Sequence, residues 1–169
     1  QGIDTIACWP LVPAPRVMLA NGGPRGSPQP FAPETVAGAS PDHSRFCAAR
    51  PAGDEWQLEC VDDAATPTLR TRLSLSPRRL STELFDSVVT IFSQGRDESA
   101  VRRDLTRPRS LPAINELQVA ETGDVWLRRS HRFEQPAIWQ RVSRTGQPDR
   151  EMSLAPLTTL LLVSADAGF

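Results

Sequence analysis

Residues 117–128 of the chain read LQVAETGDVWLR and predict two paired β-strands joined by a tight turn. Leu117 and Val119 are two positions apart, which places both side chains on one face of a strand. Gly123 lies in the polar segment that follows, where a glycine can take a positive φ without steric cost. Strand-favouring residues then resume at positions 125–127.

The same pattern continues at residues 138–146, IWQRVSRTG, and ends in a second turn at Gly146. Short antiparallel strands spaced about ten residues apart are typical of one blade of a β-propeller. An earlier segment has the same pattern, with strands predicted at residues 35–37, 45–49, 56–61 and 69–75. In its third strand, Trp56, Leu58 and Cys60 alternate onto one face.

The two segments together predict an internal repeat of about 40 residues per unit. The proposed counterparts are Phe46 with Trp126, Trp56 with Trp139, residues 62–65 with 143–146, and residues 69–75 with 150–154. We therefore expect residues 35–75 and 115–154 to superpose as two four-stranded meanders. Trp56 and Trp139 should lie on equivalent third strands, and the tryptophans should pack between blades.

A helix is predicted between the two units. Its apolar residues fall at helical spacing, and Ser81 is placed to cap its N-terminus: Leu84, Phe85, Val88, Val89, Ile91 and Phe92. Gly95 ends this helix, and residues 97–105 predict a further turn or two. We expect this insertion to pack its apolar stripe on a rim or edge of the sheets.

The predicted fold is all-β, a partial β-propeller of about two to three four-stranded meander blades with a short helical insertion. Residues 1–30 are interpreted as the remnant of a preceding blade and a loop, with strands at 3–9 and 16–20 and an irregular loop at 21–33. Residues 31–76 and 111–156 form blades, residues 77–110 the insertion, and residues 157–169 the first strand of a following blade. Because the chain starts at Gln1 and ends just after a predicted strand, we expect it to be a segment of a longer protein.

An ordered series of motifs resembles bacterial six-bladed β-propeller proteins related in architecture to NHL-type propellers. The series extends from about Pro30 to the C-terminus and comprises Ser76-Pro77, Leu111-Pro-Ala113, Leu117-x-Val119, Gly123-Asp-Val-Trp126, Trp139-x-x-Val142 and Gly146. At the start of the turn between the first and second strands, Glu121 replaces the acidic residue that is usual in such families, which is a mild departure from their pattern. The resemblance implies the fold and an extracytoplasmic location in the periplasm or cell envelope, but it implies no catalytic residues.

Composition gives no reason to expect nucleic acid or an anionic membrane as partner, because the formal net charge is −1. No apolar run approaches the length of a membrane span. The basic residues are all arginines, which we interpret as codon bias. Arg102, Arg103, Arg107 and Arg109 form a cluster interleaved with acidic residues and without aromatic neighbours, which predicts a solvated helix face.

The three cysteines, Cys8, Cys47 and Cys60, leave two alternatives open. We favour three buried thiols, since no Cys-x-x-Cys or Cys/His spacing supports a metal site. The other alternative is a Cys47–Cys60 bridge in an oxidising compartment, with Cys8 unpaired.

No catalytic, cofactor-binding or metal-binding residue is predicted. His43 and His131 lie by predicted turns and are interpreted as surface histidines. The acidic pairs Asp54-Glu55 and Asp62-Asp63 lack the pattern of a calcium loop and are interpreted as solvated turns.

The preferred function is therefore a non-catalytic binding or scaffold module of a bacterial envelope or exported protein, not an enzyme. Its expected partners are an unknown protein or small-molecule ligand and the remainder of its own propeller. The alternative is a six-bladed hydrolase or lactonase with a central metal, for which Asn115 and Glu116 are the residues near an inner strand. A third possibility is a fragment without independent function. Open-ended blades expose sheet faces and strand edges, so we expect the segment alone to be poorly soluble, to self-associate or to bind an apolar dye.

Overall fold

The computed structural model describes residues 16–17, 27–28, 30–105, 107–130 and 136–155, and these form mainly antiparallel sheet. A short ladder pairs β1 (Arg16–Val17) with β2 (Ser27–Pro28). The first four-stranded sheet comprises β3 (Val36–Ala39), β4 (Arg45–Ala52), β5 (Glu55–Asp62) and β6 (Pro67–Leu73). After β7 (Arg78–Arg79), α1 (Thr82–Phe92), α2 (Glu98–Asp104) and β8 (Ser110–Leu111), the second sheet comprises β9 (Glu116–Val119), β10 (Val125–Arg128), β11 (Ala137–Val142) and β12 (Pro148–Leu154).

Both four-stranded sheets are meanders, in which each strand pairs with the next along the chain. Among the described residues of the two predicted intervals no helix occurs, and Trp56 and Trp139 both lie on third strands. The prediction of two four-stranded meanders is therefore confirmed. The alternation read from the sequence also holds, since Trp56, Leu58 and Cys60 are all buried on one face of β5.

The two sheets pack face to face around one hydrophobic core. Side chains of both sheets and of the segment that precedes β9 form this core: Cys47, Ala49, Trp56, Leu58, Cys60, Leu73, Leu75, Ala113, Ile114, Leu117, Val119, Val125, Leu127 and Val142. The first strands of the sheets, β3 and β9, are neighbours across this interface. A Cβ placed on Gly38 of β3 would lie 2.9 Å from the carbonyl oxygen of Leu117, so the absence of a side chain at position 38 permits this close approach.

The repeat is present, but its register differs from the one predicted. In both sheets a bulge interrupts the pairing of the third and fourth strands, between Cys60 and Val61 in the first sheet and between Arg141 and Val142 in the second. Counting from these bulges, Trp139 corresponds to Leu58, and Trp56 corresponds to Ala137.

The pairing of the second and third strands aligns Trp126 with Cys47 and aligns Phe46 with Val125. The predicted tryptophan and Phe46–Trp126 correspondences were therefore wrong by one or two positions. Counted between paired residues, the connection before β4 differs in length from the one before β10, and the connection before β11 differs from the one before β5. Counting residues along the chain therefore loses the register. The predicted match of residues 62–65 with 143–146 is correct, because both turns close with the same pair of backbone hydrogen bonds.

Equivalent faces of the two sheets do not meet. Gly38, Cys47 and Cys60 are cross-strand neighbours on the face of the first sheet that contacts the second. Their counterparts Gln118, Trp126 and Arg141 share the face of the second sheet that points away from the first. The contact thus joins the front face of one repeat to the back face of the next. Such a contact is heterologous, in the sense used for head-to-tail assemblies.

The helical insertion has a hydrophobic core of its own. Ser81 caps α1, accepting a hydrogen bond from the backbone N–H of Leu84 at 3.1 Å, as predicted. The buried residues of the helices are Leu84, Phe85, Val88, Val89 and Val101. They cluster with Phe31, with Leu105 at the end of α2, and with Leu80 and Leu111 at the β7–β8 ladder. The expectation that the stripe packs on a rim or edge of the blades was therefore wrong, because the helices bury it against Phe31 and the residues around the β7–β8 ladder. Ile91, predicted within the stripe, is 42% exposed.

Near the N-terminus, the strand Ser27–Pro28 falls within the segment predicted as an irregular loop, which corrects that prediction. Of the strand predicted at residues 16–20, the structure describes Arg16–Val17 as strand. The strands predicted at residues 3–9 and 157–169 lie outside the described residues.

Candidate functional site

The most distinctive polar site lies between the two sheets, at the end where both sheets carry their first and third turns. A cavity of about 270 Å³ opens there, lined by Ser40, Ser44, Arg45, Asp62, Thr68, Ala120, Glu121, Thr122, Gly123 and Arg144. We call this cavity the turn-end pocket. Its lining comes from turns and strand ends of both sheets, so the pocket exists only because the two repeats pack together.

Arg45 is the buried charge of the turn-end pocket. Its residue is 8% exposed, and among the described residues its Nε and Nη2 atoms have no hydrogen-bond partner. Buried arginines in folded proteins are normally paired. Burial lowers the pKa of the Arg45 guanidinium, the charge of Arg144 lowers it further, and the charge of Asp124 opposes both. Arg45 is thus a desolvated cation with unused donors.

A second guanidinium converges on the same point. Gly123 has a φ of +82°, and a Cβ on it would lie 2.9 Å from Nη1 of Arg45 and 3.1 Å from Nε of Arg144. The side chains of Arg45 and Arg144 therefore both pack against the backbone of Gly123, which has no side chain to displace them. Two like charges that converge on one point repel each other, and an anion bound between them would offset that repulsion.

The acidic residues around the pocket are largely committed to other partners. Oδ1 of Asp62 accepts hydrogen bonds from the backbone N–H groups of Ala64 and Thr66, at 3.1 and 2.7 Å. Oδ2 of Asp124 accepts from the hydroxyl of Thr122 at 3.0 Å and lies 3.4 Å from Nε of Arg141. Glu121 is exposed. None of these three carboxylates forms an ion pair with Arg45.

The loop beside Arg45 is held by its own hydrogen bonds. The hydroxyl of Ser40 accepts from the backbone N–H of Arg45 at 3.0 Å. Hydrogen bonds from the side chains of Ser40 and Ser44 and from the backbone N–H of Ser44 lower the pKa of Asp42 to about 2. His43 adopts a φ of 56° in this loop. The loop is therefore a fixed wall of the pocket.

Cys47 and Cys60 form a disulfide that joins β4 to β5. The preferred prediction of three free thiols was wrong for this pair, because the antiparallel register places the two residues directly opposite each other. Sequence spacing alone left that register open. Cys8 lies outside the described residues.

Among the described histidines and acidic pairs, Asp62 alone lines the turn-end pocket. His43, Asp54 and Asp63 are exposed, and His131 lies outside the described residues. Across the part of the chain that the structure describes, no group of three His, Cys, Asp or Glu side chains has an arrangement that could hold a metal ion.

Asn115 and Glu116, the residues considered for a central metal, lie at the start of β9. The side-chain amide of Asn115 donates to the carbonyl oxygen of Pro112 at 3.4 Å. The carboxylate of Glu116 accepts from Gln118 at 3.0 Å and from Arg128 at 3.4 Å. Both side chains are thus engaged in local contacts.

The predicted arginine cluster is divided between a helix and the segment after it. Arg102 on α2 forms ion pairs with Asp86 and Glu98 and lies over the ring of Phe85. Arg107 donates to the hydroxyl of Thr82 at 3.0 Å and also lies over Phe85. Arg102, Arg103 and Arg107 are exposed, as expected for a solvated face. Contacts within the helical insertion therefore occupy two of the four predicted residues.

The residues that build the turn-end pocket were missed by sequence reasoning. One signal was present: Arg45 has the same strand parity as Cys47 and Ala49, which places a charged side chain on the buried face of β4. Arg144 and Gly123 gave no comparable signal, because their meeting with Arg45 depends on the packing of two separate sheets.

Comparison with known proteins does not assign this site. A scan against models of known protein families gives no match, and a search of curated proteins gives no significant match. Among the described helices, none combines the length and apolar character needed to cross a membrane.

Proposed function

We propose that this chain is a non-catalytic binding module built from consecutive β-propeller blades of a bacterial envelope or exported protein. The heterologous contact between its two repeats carries the proposal. A contact that joins the front of one unit to the back of the next repeats until a ring closes or an open array forms. A propeller is the closed form of such an array for four-stranded meanders.

The far face of the second sheet supports a continuing array. It holds the counterparts of two residues that are buried in the first interface: half-buried Trp126 corresponds to Cys47, and buried Trp139 corresponds to Leu58. In the proposed propeller this face receives the following blade. The Cys47–Cys60 disulfide supports the proposed location, since stable disulfides are typical of oxidising compartments outside the cytoplasm.

Light scattering on the isolated chain tests the array. We expect concentration-dependent self-association, because Trp126 and Met152 leave part of the far face accessible to the first sheet of another copy. Met152→Asp should reduce the association by placing a charge on that face. Ser153→Asp is the matched control, because Ser153 is exposed and points to the opposite side of β12. A monodisperse monomer, or equal association of both variants, would argue against the propeller.

Turnover assays test the absence of catalysis. The six-bladed hydrolase or lactonase remains the competing hypothesis, although no contact described above favours it. We expect no hydrolysis of ester or lactone substrates by the chain, with or without added divalent metal. Hydrolysis that a chelator abolishes, or that is lost on substituting His43 and His131, would overturn the proposal.

A further inference from the structure

We propose that the turn-end pocket binds the carboxylate group of a small monoanion, with the guanidinium of Arg45 as its principal partner. This inference deepens the proposed binding function and rests on it. The chemistry would be supplied equally by a free short-chain acid or by the C-terminal carboxylate of a peptide.

The unused donors of Arg45 carry the argument. A planar guanidinium offers parallel N–H groups that match the two oxygens of a carboxylate. Among the described residues, neither Nε nor Nη2 of Arg45 has a hydrogen-bond partner, although the residue is only 8% exposed. The pairing of Nε with Nη2 is one of the two edges through which arginine makes bidentate contacts. Filling that edge with an anion removes the cost of an unpaired buried charge.

The second cation fixes the direction of approach. Arg144 is exposed, and its Nε lies near the same point above Gly123 as Nη1 of Arg45. An anion entering from solvent therefore meets Arg144 first and Arg45 deeper in the pocket. Thr68 is a further polar residue that lines the cavity.

The charges of the lining favour a monoanion over a dianion such as phosphate. The two arginines are offset by the carboxylates of Asp62 and Glu121, which line the same cavity. A ligand with two negative charges would place the second one close to these groups, whereas a single carboxylate can be confined to the arginine side. The volume of about 270 Å³ accommodates a ligand of a few heavy atoms beyond its carboxylate.

An NMR titration of the 169-residue chain tests the site. The probes are propionate, N-acetylalanine, N-acetylalanine amide and inorganic phosphate. We expect saturable shifts of the Gly123 amide and the Arg45 Nε–H resonance with propionate and N-acetylalanine, and none with the neutral amide. Stronger binding of N-acetylalanine would identify a peptide terminus as the source of the carboxylate, and stronger binding of propionate a free acid.

Three variants locate the binding. Arg45→Gln should weaken it about ten- to a hundredfold, the range expected for losing charge-assisted hydrogen bonds. Arg144→Gln should weaken it less, and because Arg144 is exposed, this variant decides the question if Arg45→Gln fails to fold. Arg103→Gln, an exposed arginine on α2, is the control and should bind as the wild type does.

The outcomes separate the two proposals. Absence of saturable shifts, equal binding by Arg144→Gln and wild type, or tighter binding of phosphate would overturn the carboxylate site and leave the propeller proposal standing. Chelator-sensitive turnover together with Arg45-dependent carboxylate binding would overturn the non-catalytic function while keeping the site.

Discussion

The two four-stranded sheets share topology and turn geometry but stabilise the same positions with different chemistry. Cys47 and Cys60 form a disulfide in the first sheet, and Trp126 and Arg141 occupy the corresponding pair in the second. Arg141 is held instead by ion pairs with Asp124 and Asp149. The two repeats therefore share the register of the meander but support it with different interactions.

The turns of the two sheets also share their geometry but differ in the residues that form them. The first and third turns of the second sheet place Gly123 and Gly146 at positive φ. The corresponding positions in the first sheet are His43 and Ala65, with φ of 56° and 61°. A side chain in the left-handed region is strained, whereas glycine is not. At these equivalent positions the first sheet therefore combines two strained turns with a covalent cross-link, and the second combines relaxed turns with ion pairs of Arg141.

The largest expected effect comes from removing the disulfide. Replacing Cys47 and Cys60 by alanine should lower the free energy of unfolding by about 3 kcal/mol, because a cross-link closing a loop of this length restricts the unfolded chain. Urea denaturation of the oxidised wild type and the double variant measures the change.

The corresponding position in the second sheet supplies the control. Arg141→Gln removes two partly exposed ion pairs and should lower the free energy of unfolding by less than about 1 kcal/mol. If the two changes lower the free energy of unfolding equally, the cross-link does not distinguish the sheets.

A smaller effect tests which faces meet. Gly38→Ala should lower the free energy of unfolding by about 2 kcal/mol, since the added Cβ would lie 2.9 Å from the backbone oxygen of Leu117. Its counterpart Gln118 is on the far face, so Gln118→Ala should change the value by less than about 0.5 kcal/mol. Equal costs would contradict a heterologous contact between the repeats.

Local patterns were sufficient to predict much of the fold. Alternation placed Trp56, Leu58 and Cys60 on one face, glycines marked two of the turns, and Ser81 marked the start of α1. These features depend on residues close in sequence. Long-range register does not, which explains why the disulfide was not preferred and why Trp139 was matched to Trp56 instead of Leu58.

The candidate site was even less accessible to prediction. Arg45, Gly123 and Arg144 belong to turns and strand ends separated by many residues, and none forms a motif by itself. Likewise, the sequence predicted that the insertion is helical, but it did not predict that the insertion has a hydrophobic core of its own. Its closure depends on Phe31, which lies far from the helices in sequence and packs its ring 6.1 Å from that of Phe85.

The smallest expected effect concerns strain in the third turn of the first sheet. Ala65→Gly should raise the free energy of unfolding by up to about 1 kcal/mol, because relief of the left-handed conformation outweighs the added freedom of the unfolded chain. The adjacent Ala64 is exposed and does not have a positive φ. Ala64→Gly should therefore lower the free energy by about 0.5 kcal/mol, since only the unfolded-state term remains. Thermal and urea unfolding of both variants measure the difference. The same sign for both would show that Ala65 is unstrained, and that the turns of the two sheets differ in sequence without differing in energy.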